Sequence, residues 1–581
     1  MRLKAVTVED MMTVRERRAG GQAALLKEMA GPGAFCAAGE DQGSDCCAVT
    51  FTMNVPGPYK VFPGISYAFE SGLKRLRDIL GDEGISVLKE VRTCGAGGFE
   101  AALGVRADAV RLKELCVRAD SERPLGRLFD IDVSVPGPGG LPVKIERTEA
   151  GFGPRRCLVC PRKAFECARS RRHSVFELIM EAKRLIFSDL MGRACRGALM
   201  DELFLTPKPG LVDMADSGAH SDMNDAMLRE SIDAIAPFIL EMAEAGFELG
   251  KAEAFKNKGF KDIPGGGTGA SANVVDSQIA ASGHGPGSSS DSLIREADGH
   301  ADGTFSDGPS DGSLSDGLSG CARSLRMLGV MAERAMMNAT GGVNSHRGAI
   351  YSMGILAAAL GREYAAMDLS APESGGDPEI SCEEFFEKVR GSAAKIAEAV
   401  ERTKSEAGSG SSDGETVGQR GSDPGASLSH GAVVKEKYGA EGARGEALRG
   451  FPSAFTALDE FEETGSWKLA LLRLMAETGD TTVLYRTGRE GLSYMQTEAA
   501  KALEELKRPG SAHPGCPKAS GGGDPGDEVL SAMNRDFISR NISPGGCADM
   551  LSCAMLLEAF RSAVFGDEMV NAGSGIQPAG R

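Results

Sequence analysis

Between Ser174 and about Leu205 the apolar residues Val175, Phe176, Ile179, Leu185, Ile186, Leu190, Met191 and Leu199 return at close to helical spacing. Ser174 is followed three residues later by Glu177, so a hydroxyl caps the first helical turn while the carboxylate reaches back to the serine amide. A helix is predicted to start there and to span most of the segment. The sequence on its two sides differs. Upstream, Val49–Asn54 reads as a strand, and Arg127–Val133 alternates apolar and polar residues as a half-buried strand does. Downstream, helices are predicted over Met227–Leu249, Ala322–Ala339, Ala349–Leu360, Phe385–Arg402, Ser466–Glu477 and Asp549–Phe565, and the glycines after Thr340 are natural helix stops. Two unlike halves joined stiffly through a helix follow. A chain of 581 residues is also too long for one core. The expected fold is two-domain, with an N-terminal α/β domain over residues 1–184 and an almost all-α C-terminal domain over residues 185–581.

Three stretches rich in Gly, Ser and Asp interrupt the second half, Pro264–Gly320, Glu406–Gly431 and Arg508–Asp527, and a shorter one, Gly31–Cys47, interrupts the first. With few groups to bury, they are expected to be disordered surface insertions. They are not linkers, because helices of the same domain resume after each. A net charge of −17 argues against nucleic acid as a partner, yet leaves room for small phosphorylated ligands held by local Arg and Lys. The N-terminal residues lack the apolar core of a signal peptide, and no apolar run is long enough to span a bilayer. Fourteen irregularly spaced cysteines read as reduced thiols, so a soluble cytoplasmic protein is expected.

The polar motifs cluster at junctions between apolar runs. In Thr206-Pro207-Lys208-Pro209-Gly210-Leu211-Val212-Asp213, two prolines hold the backbone on either side of Lys208. Ser217-Gly218-Ala219-His220-Ser221-Asp222-Met223-Asn224 follows closely. Lysine as a point charge on phosphate, with Asp and His as metal ligands, suits a triphosphate and its cation. A proline-rich turn whose polar groups only cap helices is the bland reading. Further stretches of the same kind are Ala339–Gly348, which contains Asn344, Ser345, His346 and Arg347, then Gly479–Arg486, and Asn541–Asp549 with its Ser543-Pro544-Gly545-Gly546 turn. Glycine and helix starts at such places allow close approach to phosphate.

In the first half, Asp130 and Asp132 lie two apart on the predicted strand and so share a face, as a Mg²⁺ site for nucleotide phosphates requires. An isolated pair of this kind is more often a solvent-facing strand edge. Here Val55-Pro56-Gly57-Pro58-Tyr59-Lys60 adds a rigid turn presenting Lys60. Arg155 and Arg156 precede Cys157 and Cys160, while Arg169, Arg171 and Arg172 crowd the start of the Ser174 helix, an electropositive place fitted to an anion. Cys157, Cys160, Cys167 and His173 invite a zinc reading. The C-x-x-C spacing fits half a site, but the second half is not a standard finger spacing, and reduced structural cysteines are the preferred reading.

These strings carry two resemblances. From about Leu185 onward, TPKPGLVD, SGAHSDMN, the stretch from Ala332-Glu333 to Arg347, Gly479-Asp480-Thr481 and Ser543-Pro544-Gly545-Gly546 resemble the triphosphoribosyl-dephospho-CoA synthase family. Over most of residues 1–180, the Asn-x-Pro-Gly-Pro-x-Lys turn, Arg-Leu-x-Asp-x-Asp and the cysteine–arginine run resemble the holo-acyl-carrier-protein synthase of citrate lyase, and fused forms of the two are known. The first resemblance implies attack of the dephospho-CoA 2′-hydroxyl on the ribose C1 of ATP with loss of adenine. It implies Lys208, Arg347, Ser543 and Gly545 on the substrate phosphates, Asp213, Asp222 and Asp480 on metal, and Glu333, His220, His346 and Asp213 in the chemistry. The second implies transfer of phosphoribosyl-dephospho-CoA to a serine of the apo acyl carrier (gamma) subunit with loss of pyrophosphate. Mg²⁺ would sit on Asp130 and Asp132, phosphates on Lys60, Arg155, Arg169 and Arg171, and the fold would be nucleotidyltransferase-like. Thr482 stands where the first family has Asn, Tyr485 where it has His, and Arg347 where Lys is common. Alternatives are the equivalent enzyme for a malonate decarboxylase carrier, or one half reduced to a carrier-docking module.

Overall fold

A computed structural model describes residues 1–30, 46–258, 314–369, 378–409, 430–508 and 525–566. Most of the four expected insertions lie outside the described residues. Their edges are ordered elements, because helices that begin at Leu314 and Pro525 and a strand that begins at Cys46 reach into them.

The N-terminal region holds a small antiparallel sheet of β1 (Cys46–Met53), β2 (Val87–Gly95), β3 (Gly98–Arg106), β4 (Phe129–Pro136) and β5 (Pro142–Ile145), in the order β2-β3-β1-β4-β5. Around it lie α1 (Val8–Ala30), α2 (Ile65–Asp82) and α3 (Ala109–Ser121). Alternation decides which face each helix covers. Phe51 of β1 and Phe129 of β4 point to one side and meet Phe69 of α2, with Phe51 ring centroids 5.4 Å from Phe69 and 5.2 Å from Phe129. Burial of each such ring stabilises the fold by roughly 1.5–3 kcal/mol. Leu25, Leu26 and Met29 of α1 pack on the opposite face against Cys46 and Ala48. That face also carries the polar rows Glu100–Thr52–Asp130 and Ala102–Thr50–Asp132, set by the register of β3, β1 and β4.

After a short α4 (Ala164–Ser170), α5 (Val175–Phe204) opens on the expected capping box. The Ser174 hydroxyl accepts from the Glu177 amide at 3.1 Å, and the Ser174 amide donates to the Glu177 carboxylate at 2.7 Å. This helix belongs to two cores. Ala182, Leu185 and Ile186 pack with the sheet, while Phe187, Leu190, Met191 and Leu199 pack with the helices that follow. Between them Lys183 is buried and donates to the carbonyls of Ala365 and Met367, both at 2.9 Å, and burial lowers its pKa to about 7.

Those helices are α6 (Asp225–Asn257), α7 (Leu314–Ala339), α8 (Arg347–Ala366), α9 (Cys382–Ser409), α10 (His430–Tyr438), α11 (Gly442–Leu448), α12 (Pro452–Thr464), α13 (Trp467–Glu477), α14 (Thr481–Lys507), α15 (Pro525–Ser539) and α16 (Gly545–Phe565). The chain is thus mostly helical, and every named strand lies in the N-terminal sheet. α6 and α8 approach so closely that a Cβ at Gly246 would overlap the Ala358 carbonyl. That crossing fixes the start of α8, where the next site lies. Among the described residues no helix is long and apolar enough to cross a membrane.

Candidate active sites

Asp130 and Asp132 sit side by side on the α1 face of β4, opposite Thr52 and Thr50 of β1. Their surroundings differ. Asp132 is committed to Lys144 at 2.8 Å and lies 3.7 Å from Lys113, a buried lysine whose Nζ also donates to the Ile131 carbonyl. Asp130 is 47% exposed, and its nearest cation is Arg155 at 3.9 Å. Arg155 is anchored from behind by Asp120 at 2.8 Å, which also holds Arg147 at 2.7 Å. The arginine arm is therefore brought against the carboxylate strand. Arg169 lies on α4 over the ring of Phe165, at 5.9 Å. Arg171 closes α4 with φ 45°, a left-handed conformation, and both side chains are exposed just ahead of the α5 N-terminus. Lys60 is turned inward, donating to the Val55 carbonyl of its own turn at 2.7 Å. Burial and then the Arg15 charge lower its pKa. Sequence reasoning missed Arg15, Arg17 and Arg18 of α1. Arg18 binds Glu100 at 2.5 Å, next to Thr52 in the row that ends at Asp130.

The second site is a cleft of 180 Å³, open to solvent on one side and lined among others by Glu202, Lys208, His220, Ser345, His346, Arg347, Gly348, Thr482, Ser543, Gly545 and Asp549. The N-termini of α8, α14 and α16 open onto it through Arg347, Thr482 and Gly545. Each points the positive end of a helix dipole at the cleft, an arrangement suited to phosphate. Lys208 is buried and its Nζ donates to Glu202 at 2.6 Å. His346 caps the start of α8, with Nδ1 2.7 Å from the Ser231 hydroxyl and 3.1 Å from that of Ser345. Burial, then the Lys208 charge, pushes its pKa down to about 4, so the ring is neutral at pH 7. His220 shares a 2.7 Å hydrogen bond with Ser543, and burial followed by the Arg486 charge lowers its pKa. Arg347 and Glu333 form an ion pair at 3.1 Å at the rim of the cleft.

Two expected metal ligands are engaged by backbone amides. Asp213 spends its carboxylate on the amides of Lys208 at 2.8 Å, Ala215 at 2.7 Å and Asp216 at 3.1 Å, which shapes the lysine loop. Asp480, 1% exposed, accepts from Thr482, Val483 and Cys547 amides at 2.8, 3.0 and 2.9 Å, tying the start of α14 to that of α16. Asp222 is 61% exposed and stands 3.7 Å from His220 Nδ1. Glu333 and Tyr485 do not line the cleft, whereas Thr482 does. The carboxylates that do line it, Glu202 and Asp549, were overlooked. Burial, then the neighbouring Asp480 and Glu202 charges, raises the Asp549 pKa well above the usual carboxylate range. A Cβ at Gly348 would overlap its Oδ2, so the glycine of His346-Arg347-Gly348 is there to admit that carboxylate. The glycine next to a catalytic-looking His-Arg pair was the available signal in the sequence.

Two separate clusters of cationic side chains and helix N-termini on one chain suit a protein that handles phosphorylated ligands at two places. Residues 6–188 match the family described as apo-citrate lyase phosphoribosyl-dephospho-CoA transferase, and residues 188–283 and 300–564 match ATP:dephospho-CoA triphosphoribosyl transferase. "Protein CitXG" of Haemophilus influenzae is 26% identical over 566 residues, covering 96% of this chain and 97% of the relative. A 2-(5''-triphosphoribosyl)-3'-dephosphocoenzyme-A synthase of Haemophilus ducreyi is 30% identical over 409 residues, 68% of this chain and 97% of its own length. "Protein CitXG" of Leuconostoc mesenteroides subsp. cremoris is 24% identical over 526 residues, 87% of this chain and 90% of its own. The chain belongs to the ATP:dephospho-CoA triphosphoribosyl transferase family, joined in one polypeptide to an N-terminal member of the apo-citrate lyase phosphoribosyl-dephospho-CoA transferase family.

Proposed function

We propose that this chain both makes and delivers the citrate lyase prosthetic group. The part after about residue 185 makes 2′-(5″-triphosphoribosyl)-3′-dephospho-CoA from ATP and dephospho-CoA, and the part before it loads a serine of the apo acyl carrier (gamma) subunit. The observation that carries this is the order of the two family matches along one chain, each spanning its own cationic cluster. The cytoplasm, where ATP and dephospho-CoA meet, is the place we assign to the reaction.

In the first step the 2′-hydroxyl oxygen bonds to ribose C1, the bond from C1 to adenine breaks, the hydroxyl proton goes to a base and adenine leaves with a proton. Asp549 is the base we favour, because it lines the cleft where Gly348 admits it and because burial, then the Asp480 and Glu202 charges, raises its affinity for a proton. Lys208 and Arg347, with the first turn of α16 at Gly545, hold the triphosphate. The cleft's 180 Å³ is below the roughly 300–1,000 Å³ of small-molecule sites, so it holds only part of the two nucleotides. His346 and His220 orient the Ser345 and Ser543 hydroxyls that line the cleft, with His346 also held by the buried Ser231 hydroxyl.

In the second step the carrier serine oxygen bonds to the α-phosphorus, the bond to the β-phosphate oxygen breaks, and pyrophosphate leaves. Positioning and charge neutralisation dominate such chemistry. Arg155 is aimed along the strand at Asp130, and Lys60, Arg169 and Arg171 supply further positive charge. Mg²⁺ would fit Asp130, an exposed hard carboxylate. Bound there it would neutralise phosphate oxygens. Asp132 already has two lysines and supports Asp130 from beside it. Paired strand carboxylates keep the nucleotidyltransferase analogy for this part.

The two steps are separable by substitution. Asp549→Asn is expected to abolish adenine release while still loading the carrier from supplied triphosphoribosyl precursor, and Asp130→Asn to do the reverse. Loss of both activities in either variant, with the fold intact by circular dichroism, would refute the division of labour.

A further inference from the structure

The segment between the sheet and α5 has almost nothing of its own to bury. Within residues 151–173 the only buried side chains are Cys157 and Cys167, while Phe152, Val159 and Phe165 are 37%, 40% and 49% exposed. A stretch with apolar rings outside and thiols inside has no hydrophobic core, and peptides of that kind need a staple. Its backbone is nevertheless well defined. Arg156 and Lys163 form an antiparallel bridge, the Cys157 amide donates to the Arg162 carbonyl at 2.6 Å, and the Ala164 amide donates to that of Arg155 at 2.8 Å. This tight hairpin presents Cys157 and Cys160, α4 presents Cys167, and the residue before the α5 cap presents His173.

The donor atoms of those four residues all lie within 4.8 Å of one another. The Sγ atoms of Cys160 and Cys167 are 3.4 Å apart, and His173 Nε2 is 3.3 Å from Cys160 Sγ. Donors at zinc bond lengths of about 2.0–2.3 Å in a tetrahedron stand roughly 3.5–3.8 Å from each other, so those two contacts open by a few tenths of an ångström, and any pair near the 4.8 Å limit closes, to accept the ion. From these positions we infer that Cys157, Cys160, Cys167 and His173 form a structural zinc site. The spacing in the chain, Cys157-x₂-Cys160-x₆-Cys167-x₅-His173, hid it, because the short α4 and the turn at Arg171 fold the second pair of ligands back onto the first. The preference for free thiols, drawn from spacing alone, is replaced by this reading.

Three thiolates and an imidazole leave no open coordination position, so the ion is structural and takes no part in the chemistry. Binding releases the thiol protons to solvent. Its effect is to hold the arginine arm. The Arg127 guanidinium donates to the Cys157 carbonyl, and Arg155, two residues before Cys157, reaches Asp120 and Asp130. Without the ion the hairpin, α4 and the basic residues they carry lose their anchor.

The test is metal analysis of the full chain, purified under reducing conditions without chelator after growth with zinc. About one zinc per chain is expected, and Cys157→Ser and Cys167→Ser should each hold little while Cys94→Ser keeps the full amount. Should a ligand variant fail to fold, the wild-type protein answers alone. Stripped of metal and titrated with Co²⁺, it should develop the intense visible absorption of tetrahedral thiolate cobalt, and zinc should slow tryptic cleavage at Arg162 and Arg169–Arg172. Zinc content no higher in the wild type than in Cys157→Ser, or a Cys160–Cys167 disulfide mapped in the freshly purified protein, would overturn the proposal.

Discussion

Replacing Asp480 separates a structural carboxylate from a metal ligand. Its Oδ1 accepts the first-turn amides of α14 from Thr482 and Val483, and its Oδ2 accepts the amide of Cys547 in α16. Cys547 is wholly buried, and its N–H is shared between Asp480 and the Pro544 carbonyl at 3.1 Å. Asp480→Ala loses the cap, at about 1 kcal/mol, and the tie to α16, at about 0.5–1.5 kcal/mol. The sum is about 1.5–2.5 kcal/mol. Asp480→Asn keeps the cap through its carbonyl but turns an NH₂ toward the Cys547 amide. Because burial outweighs the amides and raises the acid's pKa, the neutral amide recovers part of that loss, and the net is nearer 1 kcal/mol. The assay is urea unfolding of the full chain followed by the fluorescence of its single tryptophan, Trp467, which stacks on Phe461 at the start of α13, the helix that leads to Asp480. With a slope of about 1–3 kcal/mol per molar urea, Asp480→Ala should lower the midpoint by about 1 M, and Asp480→Asn by a fraction of that. The Mg²⁺ concentration that half-saturates adenine release should stay unchanged in Asp480→Asn. An unshifted midpoint combined with a raised Mg²⁺ requirement would refute the reasoning and return Asp480 to the metal.

Gly348→Ala should drive Asp549 out of the cleft and lower kcat for adenine release at least tenfold, with carrier loading from supplied precursor intact; full activity would show that the overlap is relieved at no cost. Lys208→Met leaves Glu202 buried beside an apolar chain, and urea unfolding should show a loss of about 3–5 kcal/mol. His346 gives an acid sensitivity whose sign is fixed. The unfolded ring takes a proton near pH 6.5 while the folded ring resists until about 4, so stability falls as the pH drops through that window, by up to about 3 kcal/mol. His346→Asn should flatten the pH dependence of the unfolding midpoint between pH 6.5 and 4, and an unchanged slope would count against the buried neutral ring.

What the sequence disclosed follows from the range of the forces involved. The Ser174–Glu177 capping box and the long α5 were readable because both are local, and β4 was readable because alternation registers which face is wet. The two functions were readable from strings of polar residues at helix junctions. The division of roles inside each site was not. Asp213 and Asp480 resemble ligands in one dimension, but their oxygens are claimed by amides that only the folded loop and the α14–α16 contact bring near. Asp549 resembles an ordinary first-turn helix residue until α8 is laid against it. Asp130 and Asp132 look equivalent on a strand, and only β5 and α3, bringing Lys144 and Lys113 to one of them, make them unlike. The thiol cluster was hidden for the same reason, since its two halves meet only through the turn at Arg171.

The most direct measurement is a single incubation of the purified chain with ATP, dephospho-CoA and Mg²⁺, with and without the apo acyl carrier subunit, following adenine, pyrophosphate and the carrier's mass. Adenine release in both mixtures, with pyrophosphate release and a carrier mass gain of one phosphoribosyl-dephospho-CoA only when the carrier is present, is the predicted result. Absence of adenine from both mixtures, or of carrier loading even when the triphosphoribosyl precursor is supplied, would contradict the account.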